Sequence, residues 1–459
     1  MSSDWAAVIN IALIFVVTFV AKFIKEKLGI FRTIIVPTAL MAGFIGLFIG
    51  PEVTGLVKYD LELYEKIVFH SMALGFIALT LAEKKTEHKS DTMKSGLFIV
   101  ATYCFQGVIG MLTVWGLIYT IKPDLFVGLG LMLPLAYGQG PGFASSIGSS
   151  WDEVLPYGFV NQYGLTLATA GFLVAGLLGV FMLNYFVRKY KIPVARLNRI
   201  KGLQTKELSI SSVQEINFFD MLTVQFVWIA IIYLATFLVM QGAGIFLSLF
   251  GTIGETIASL VKGFNFLFGI ILAMLFKRII LFLSRKGHRT ESLLDSYLLN
   301  NISSLFFNMM ITASIMAISI EAIRDYWELL LVVAAVGVLT TYFFTIWLGR
   351  RMFLNNTTHY ILAMFGMLTG TASTGLALLR GIDPDLKTDV AKNLVLGSAV
   401  AAPLGFPLMA ILGMPIIGFT TNNPIYSYIT FSGIFLYMLL LIGIGIIKTR
   451  REKSSSTQE

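Results

Sequence analysis

Long apolar stretches alternate with short polar connections along nearly the whole chain. Eleven stretches have the length of roughly 20 residues that an α-helix needs to cross a bilayer. They lie near residues 5–24, 33–50, 65–83, 95–121, 157–187, 219–240, 263–282, 293–318, 327–349, 388–418 and 425–447. The pattern predicts an all-α polytopic membrane protein.

Two further apolar segments, 125–150 and 357–380, are interrupted by small residues. The first contains "LPLAYGQGPGFASSIG" and the second contains "LTGTASTGLALLR". A broken backbone survives at membrane depth only where protein buries it or where it lines a wet cavity. Each segment is therefore predicted to line a cavity.

Basic residues lie in alternate connections, which sets the topology. Of the 34 Lys and Arg residues, 29 fall in clusters that become cytoplasmic if both interrupted segments enter and leave on the same side. A full crossing by 125–150 would put the seven positive charges of 188–206 outside. We therefore expect two re-entrant hairpins, an outside N-terminus, a cytoplasmic C-terminus and insertion in the cell inner (plasma) membrane.

The order of elements repeats along the chain. Residues 1–187 and 219–418 each give four spans, a hairpin and a fifth span, joined by a cytoplasmic linker at 188–218. Because five is odd, the two repeats have opposite orientations, an arrangement common in secondary transporters. Residues 419–459 add an extra span and a solvated cytoplasmic tail. The apolar segment 241–262 is interpreted as an interfacial or buried helix, because another span would invert every later loop.

The first interruption has the chemistry of an anion site. Glycine allows close backbone approach, and the free N–H groups of a helix that begins after it attract an anion. Gln139 can both donate and accept hydrogen bonds. The substrate-binding candidates here are Gly138, Gln139, Gly140 and Gly142. A glycine-rich kink that only allows helix packing is the alternative.

The second interruption offers hydroxyl groups and carbonyls, which suit a hard cation such as Na⁺. Its substrate-binding candidates are Thr371, Ser373, Thr374 and Arg380. Arg380 can hold a carboxylate in a bidentate fork. Its alternative roles are to anchor the segment at the headgroups or to pair with Asp383 or Asp385.

Neutral polar residues inside spans are candidate ligands of the coupling ion. Asn301, Ser304 and Asn308 are spaced so that they share one helix face, and Gln106 interrupts the fourth span. We assign all four to Na⁺, with interhelical hydrogen bonding as the alternative. Carboxylates are scarce near mid-span, which favours Na⁺ over a proton pump.

Several functional classes are disfavoured by the sequence. No zinc-protease, nucleophile-elbow or phosphate-loop motif occurs, so we expect neither an enzyme nor a cofactor other than Na⁺ as coupling ion. The single Cys104 excludes an internal disulfide framework. The net charge of +8 follows the membrane topology, so no nucleic-acid partner is expected.

Four short motifs support a family resemblance. They are the tip from Gly138 to Ala144, "YCFQGVIG" around Gln106, "TGTASTGLA" from Thr369 to Ala377, and Pro37 in "TIIVPTALMAG". Together with the layout over residues 5–418, they resemble the glutamate:sodium symporter family. Gln139 and Pro141 stand where the family's GGHGTGAA-type tip has histidine and threonine, and the second tip lacks the family's proline.

The resemblance implies Na⁺-driven uptake of acidic amino acids by a homodimer, with one moving transport domain in each protomer. Our expectation is therefore sodium-coupled symport of a small anionic substrate by alternating access, with glutamate as first choice. A di- or tricarboxylate carrier, including a proton-coupled one, is the alternative within transport. A channel and a membrane-embedded receptor are the alternatives outside it.

Overall fold

The computed structural model describes residues 3–27, 37–82, 90–189, 215–250, 258, 261, 264–286, 293–383 and 388–455. Within these ranges the chain is helical and contains no β-strand. Ten of the described helices are long and apolar enough to cross a membrane. The predicted fold class of a helical polytopic membrane protein is confirmed at this level.

The described part of the N-terminal half contains six helices and two tight helical turns. The helices are α1 (Ser3–Lys27), α2 (Thr38–Ile49), α3 (Leu61–Ala82), α4 (Ser90–Thr120), α5 (Pro141–Asp152) and α6 (Val160–Lys189). A 3₁₀ turn at Val127–Leu131 and a π turn at Pro134–Gly138 precede α5.

In its described residues, the C-terminal half also places four helices of 12 residues or more before its broken segment, and it adds a terminal helix. It contains α7 (Glu215–Ser248), α8 (Asn265–Arg285), α9 (Ser296–Met316), α10 (Ile320–Ile323), α11 (Trp327–Met352), α12 (Thr357–Thr369), α13 (Ala372–Arg380), α14 (Val390–Ile411), α15 (Met414–Thr420) and α16 (Ile425–Ser455). Both halves therefore have a broken helical segment before a long helix, which is α6 in the N-terminal half and α14 in the C-terminal half.

Some helix boundaries differ from the predicted spans. Helix α7 continues to Ser248 and takes in the beginning of segment 241–262, because Gly242 and Gly244 do not interrupt it. Helix α2 begins after Pro37 and has 12 residues, whereas the predicted span was 33–50. Residues 28–36, 190–214 and most of 251–263 lie outside the described part of the chain.

The buried apolar residues divide the helices into two groups. One core joins α4, both turns, α5, α6 and α11–α16, which we call the break-bearing bundle because it contains both broken segments. Two further cores join α1–α3 with α7–α9, which we call the flanking bundle. Helix α6 also contributes Leu165 and Phe172 to the flanking core, so it lies along the boundary.

The terminal helix is fixed to the break-bearing bundle by buried charge. Lys94 is 1% exposed and its Nζ lies 2.6 Å from both Asp91 Oδ1 and Glu452 Oε2. Thr449 donates a hydrogen bond of 2.8 Å to the Met352 carbonyl. Helix α16 extends to Ser455, into the tail that was predicted to be solvated, and its Glu452 supplies a partner to this buried lysine.

Candidate functional site

The first break lies between the π turn and α5, at Gln139 and Gly140. Gly140 has φ +93° and ψ 178°, a backbone conformation that is essentially restricted to glycine. Helix α5 then begins at Pro141 without a side-chain cap. The N–H groups of its first turn therefore have no intrahelical acceptor.

The second break lies at Gly370 and Thr371, between α12 and α13. Thr371 caps α13, since its hydroxyl oxygen accepts from Thr374 N at 3.4 Å. The two arms pack closely side by side, because a Cβ on Gly375 would lie 2.3 Å from the Ala363 carbonyl oxygen. Residues 357–380 therefore form a helix–break–helix unit.

The chain enters and leaves the first broken segment at neighbouring points. The Tyr157 hydroxyl, which follows α5, donates a 2.6 Å hydrogen bond to the carbonyl of Asp124, which precedes the 3₁₀ turn. At the second segment, Asn393 Nδ2 near the start of α14 donates a 2.7 Å bond to the Tyr360 hydroxyl near the start of α12. These two hydrogen bonds bring a residue that follows each broken segment next to a residue near its beginning.

Both breaks line one cavity of about 470 Å³ between the two bundles. The break-bearing bundle contributes residues of both breaks, together with parts of α4 and α14. The flanking bundle contributes parts of α3, α8 and α9. A pocket at the interface of two bundles, with a few polar groups in an apolar wall, is typical of a small-molecule site.

A polar stripe of α9 forms part of the flanking wall. Asn300, Ser304 and Asn308 recur every four residues, so they share one face and line the cavity with exposed side chains. Ser303 lines it as well. Asn301 is exposed elsewhere on the helix, because one residue turns the side chain by about 100°.

The structure brings six of the predicted site residues together around the cavity. These are Gly138, Gln139, Gly142, Thr371, Ser304 and Asn308. The other six either do not line the cavity or have a side chain outside the described part of the structure. Gly140 forms the first break, Thr374 is 1% exposed beside Thr371, and Gln106 lies behind the wall. Arg380 is exposed at the end of α13 and Asn301 faces away, while the side chain of Ser373 is not among those described.

Gln106 connects both breaks to the helices around them. Its side chain is 1% exposed, and Nε2 donates to the Thr341 hydroxyl at 3.1 Å and to the Leu368 carbonyl at 2.9 Å. Its Oε1 is buried without a hydrogen-bond partner, and a Cβ on Gly138 would lie 2.9 Å from it. The first break therefore has an unused acceptor directly behind it.

Phenylalanine and methionine residues form much of the apolar wall, and no pattern in the sequence distinguishes them. Phe143 contacts Phe266 with ring centroids 4.3 Å apart, and Phe76 contacts Phe307 at 5.1 Å. A Cβ on Gly142 would lie 2.5 Å from the sulfur of Met72, so this wall comes close to the first break. In a chain with 37 Phe residues, those facing a cavity cannot be distinguished by sequence from those facing lipid.

The cavity has no charged side chain among the described residues that line it. Tyr103 is the only titratable group in that set, and tyrosine is neutral at pH 7. Electrostatic recognition here depends on backbone dipoles, amides and hydroxyls. The uncapped start of α5 is a positive end of such a dipole.

Hydrogen bonds of Gln162 join the two bundles at one end of the cavity. Its Nε2 donates to the Ala317 carbonyl at 2.9 Å and also to Glu65, and its Oε1 accepts from Ser319 N at 2.8 Å. Glu65 lies in α3 and Ala317 follows the end of α9, and both helices line the cavity further along their length. The bundles are therefore held together on one side of the cavity by a polar contact.

Comparison with protein-family models gives no match for this chain, and no curated protein matches it.

Proposed function

We propose that the chain is a secondary active transporter that carries a small carboxylate together with Na⁺ by alternating access. The observation that supports this most is that two separate broken segments meet at one cavity between two bundles. Broken helices that meet at such an interface present helix ends and free backbone groups to a substrate and its coupling ion.

The anion is placed at the first break in this proposal. The uncapped N–H groups of α5 face it, and Gln139 on the cavity wall adds an amide. The positive dipole end of α5 replaces the lysine or arginine that many anion sites contain. Gly140 is required because its conformation lets the chain turn directly into α5.

The coupling ion is placed between the second break and the polar stripe of α9. Thr371 and Gly370 lie on one side, and Ser304 and Asn308 lie on the other. Hydroxyl, amide and carbonyl oxygens are the ligands that hard cations prefer. Bringing these groups together needs both bundles, which couples ion binding to their relative position.

Alternating access requires one bundle to move against the other. Apart from Leu165 and Phe172 of α6, which pack in the flanking core, the two bundles have separate apolar cores, and this supports movement of each bundle as a unit. The neighbouring ends of each broken segment support the re-entrant hairpins, and the repeated helix order supports the inverted repeats. Orientation in the plasma membrane, with the C-terminus cytoplasmic, follows from the charge distribution.

The resemblance to the glutamate:sodium symporter family supports Na⁺ coupling, an acidic substrate and a homodimer. The direct experiment is uptake of labelled carboxylates into proteoliposomes that contain the purified chain. We expect saturable uptake with an inward Na⁺ gradient and at most background uptake with the same gradient of K⁺. Equal uptake in the two gradients would contradict Na⁺ coupling, and non-saturable flux would indicate a channel.

A further inference from the structure

The cavity wall presents no charged side chain to a bound molecule among its described residues. From this we propose that the cavity selects a monocarboxylate with an apolar body and no ammonium group, of the α-keto acid class. The inference rests on the proposed transport function and narrows its substrate. It moves the expected substrate away from glutamate, which carries two carboxylates and an ammonium group.

Donors for a carboxylate are concentrated at the first break. Helix α5 lacks a side-chain cap, and its first turn lies beside the cavity at Gly142. The Nε2 atom of Gln139 is buried and has no hydrogen-bond partner, although this residue lines the cavity. At the second break, Thr371 caps α13. The helix end and the free amide of Gln139 together form a set of donors that suits one carboxylate.

The described residues that line the cavity offer no carboxylate to pair with an ammonium group. A cation buried without a carboxylate is strongly unfavourable. Two carbonyls at the helix ends beside the breaks already accept hydrogen bonds: Pro134 O accepts from Gln139 N at 3.1 Å, and Leu368 O accepts from Gln106 at 2.9 Å. The Thr369 carbonyl oxygen packs against Gly171.

Charge balance in the cavity also disfavours a neutral α-amino acid. One carboxylate and one Na⁺ neutralise each other, so the loaded cavity needs no protein charge. A neutral α-amino acid such as leucine adds a second cation, which the neutral oxygens of Asn300, Ser304 and Asn308 do not neutralise. Replacing the amino group by a keto oxygen removes this cation and leaves the carbon skeleton unchanged.

The aromatic wall is suited to an apolar body and not to a cation. A cation–π site presents ring faces around the cation. Here the rings pack on each other: Phe76 meets Phe143 at 5.7 Å and Phe307 at 5.1 Å, in both cases edge to face. Phe143 also meets Phe266 at 4.3 Å. The rings thus form a continuous apolar surface.

Matched pairs of substrates test the proposal. Proteoliposomes with the full chain receive labelled leucine, α-ketoisocaproate, glutamate or α-ketoglutarate under an inward Na⁺ gradient. We expect each keto acid to exceed its amino acid by about tenfold or more, since an unpaired buried charge is costly. We also expect α-ketoisocaproate to exceed α-ketoglutarate. Equal or faster uptake of an amino acid, or preference for the dicarboxylate, would overturn the assignment.

Binding separates this inference from the transport proposal. The same four compounds are tested with Na⁺ for thermal stabilisation of the detergent-solubilised chain, a measurement that needs no flux. Stabilisation by the keto acids without uptake would support the inference and remove the transport function. No stabilisation and no uptake with any of the four would overturn both.

An added carboxylate tests the reason for the selectivity. Asn308→Asp introduces an acid on the cavity wall, and Asn301→Asp introduces the same acid on α9 outside the cavity. We expect Asn308→Asp to shift the ratio of leucine to α-ketoisocaproate uptake towards leucine by about tenfold, with no shift in Asn301→Asp. Ser304→Asp is the second variant if Asn308→Asp does not fold. An unchanged ratio in a folded cavity variant would contradict the proposal.

Discussion

At the scale of single residues, Gly140 is required for its backbone conformation and not because a side chain would clash with neighbouring atoms. A Cβ at this position would meet no atom within 4 Å, but φ is +93°. The backbone strain of a side chain there is about 1–3 kcal/mol. Its substitution therefore tests the conformation of the first break without adding a steric clash.

We expect Gly140→Ala to reduce Na⁺-dependent uptake by about tenfold or more, because the strain shifts the chain away from the geometry that exposes the start of α5. Gly116→Ala is the matched control, since this glycine lies in α4 with open space and without positive φ. Uptake assays and thermal unfolding of both variants give the comparison. Wild-type kinetics in Gly140→Ala would show that this break does not bind substrate.

Gln106 is the second residue whose role can be isolated. Gln106→Leu leaves the Leu368 carbonyl and the Thr341 hydroxyl without their donor, which costs about 1–3 kcal/mol of stability. Gln225→Leu is a matched control, because Gln225 is buried and donates to the Met221 and Leu293 carbonyls away from the cavity. We expect both variants to unfold at lower temperature.

The two glutamine variants should differ in their response to Na⁺. Only Gln106→Leu removes an acceptor beside the first break, so only this variant should need several-fold more Na⁺ for half-maximal uptake. The measurement is uptake at a series of Na⁺ concentrations. If both variants keep the wild-type Na⁺ dependence, Gln106 is a structural residue alone.

The unusual composition of the two tips allowed the positions of the helix breaks to be predicted from sequence. The directions of individual side chains were not predictable in this way. The glycine-rich tip and the hydroxyl-rich tip were visible because broken backbone is rare at membrane depth. Asn300 was missed and Asn301 was chosen, because a one-residue change in helix register moves a side chain off the wall. Arg380 attracted attention as a charge, yet it lies exposed at the helix end.

At the scale of elements, close backbone contact fixes the first broken segment against α4. A Cβ on Gly110 would lie 2.0 Å from the Gly130 carbonyl oxygen, and a Cβ on Gly130 would lie 2.3 Å from Gly110. Small residues allow helices to approach in this way. This contact places the 3₁₀ turn that leads to the first break.

Gly110→Val should therefore displace the first broken segment. We expect a loss of about 1–3 kcal/mol in stability, typical of overpacking in a close contact. Gly116→Val on the same helix is the control, because nothing lies within 4 Å of that Cβ position. Thermal unfolding in detergent compares the two variants. Equal stability of both would contradict the close crossing.

The length of each apolar stretch predicted which segments form long helices. The end of the terminal helix, in contrast, depends on a tertiary contact. The terminal helix continues through "TRREKS" because Lys94, 358 residues away in sequence, holds Glu452. The continuation of α7 to Ser248 has a local cause, since its apolar character persists past residue 240. Partners distant in the chain cannot be read from a local pattern.

At the scale of the whole molecule, the proposed topology predicts on which side of the membrane the ends of each broken segment lie. If the segment between Asp124 and Pro156 is re-entrant, both residues lie on the outer side of the membrane. Single cysteines replace these exposed residues in a Cys104→Ala background, with Asn355→Cys as the cytoplasmic control. We expect an impermeant maleimide added outside to label the first two and not the third.

Labelling of Asp124→Cys and Pro156→Cys from opposite sides would show that the segment crosses the membrane. The inverted repeat would then be lost, because the second half would no longer be opposite in orientation to the first. Labelling of Asn355→Cys from outside together with protection of the other two would instead invert the orientation and leave the hairpin intact.

The central claim is that substrate moves through one cavity exposed alternately to the two sides. Solute counterflow tests it most directly: proteoliposomes loaded with unlabelled α-ketoisocaproate, with equal Na⁺ on both sides, receive a trace of the labelled compound outside. Alternating access predicts transient accumulation of label above its external concentration, followed by decay. Simple equilibration without accumulation would contradict alternating access and indicate a continuous pore.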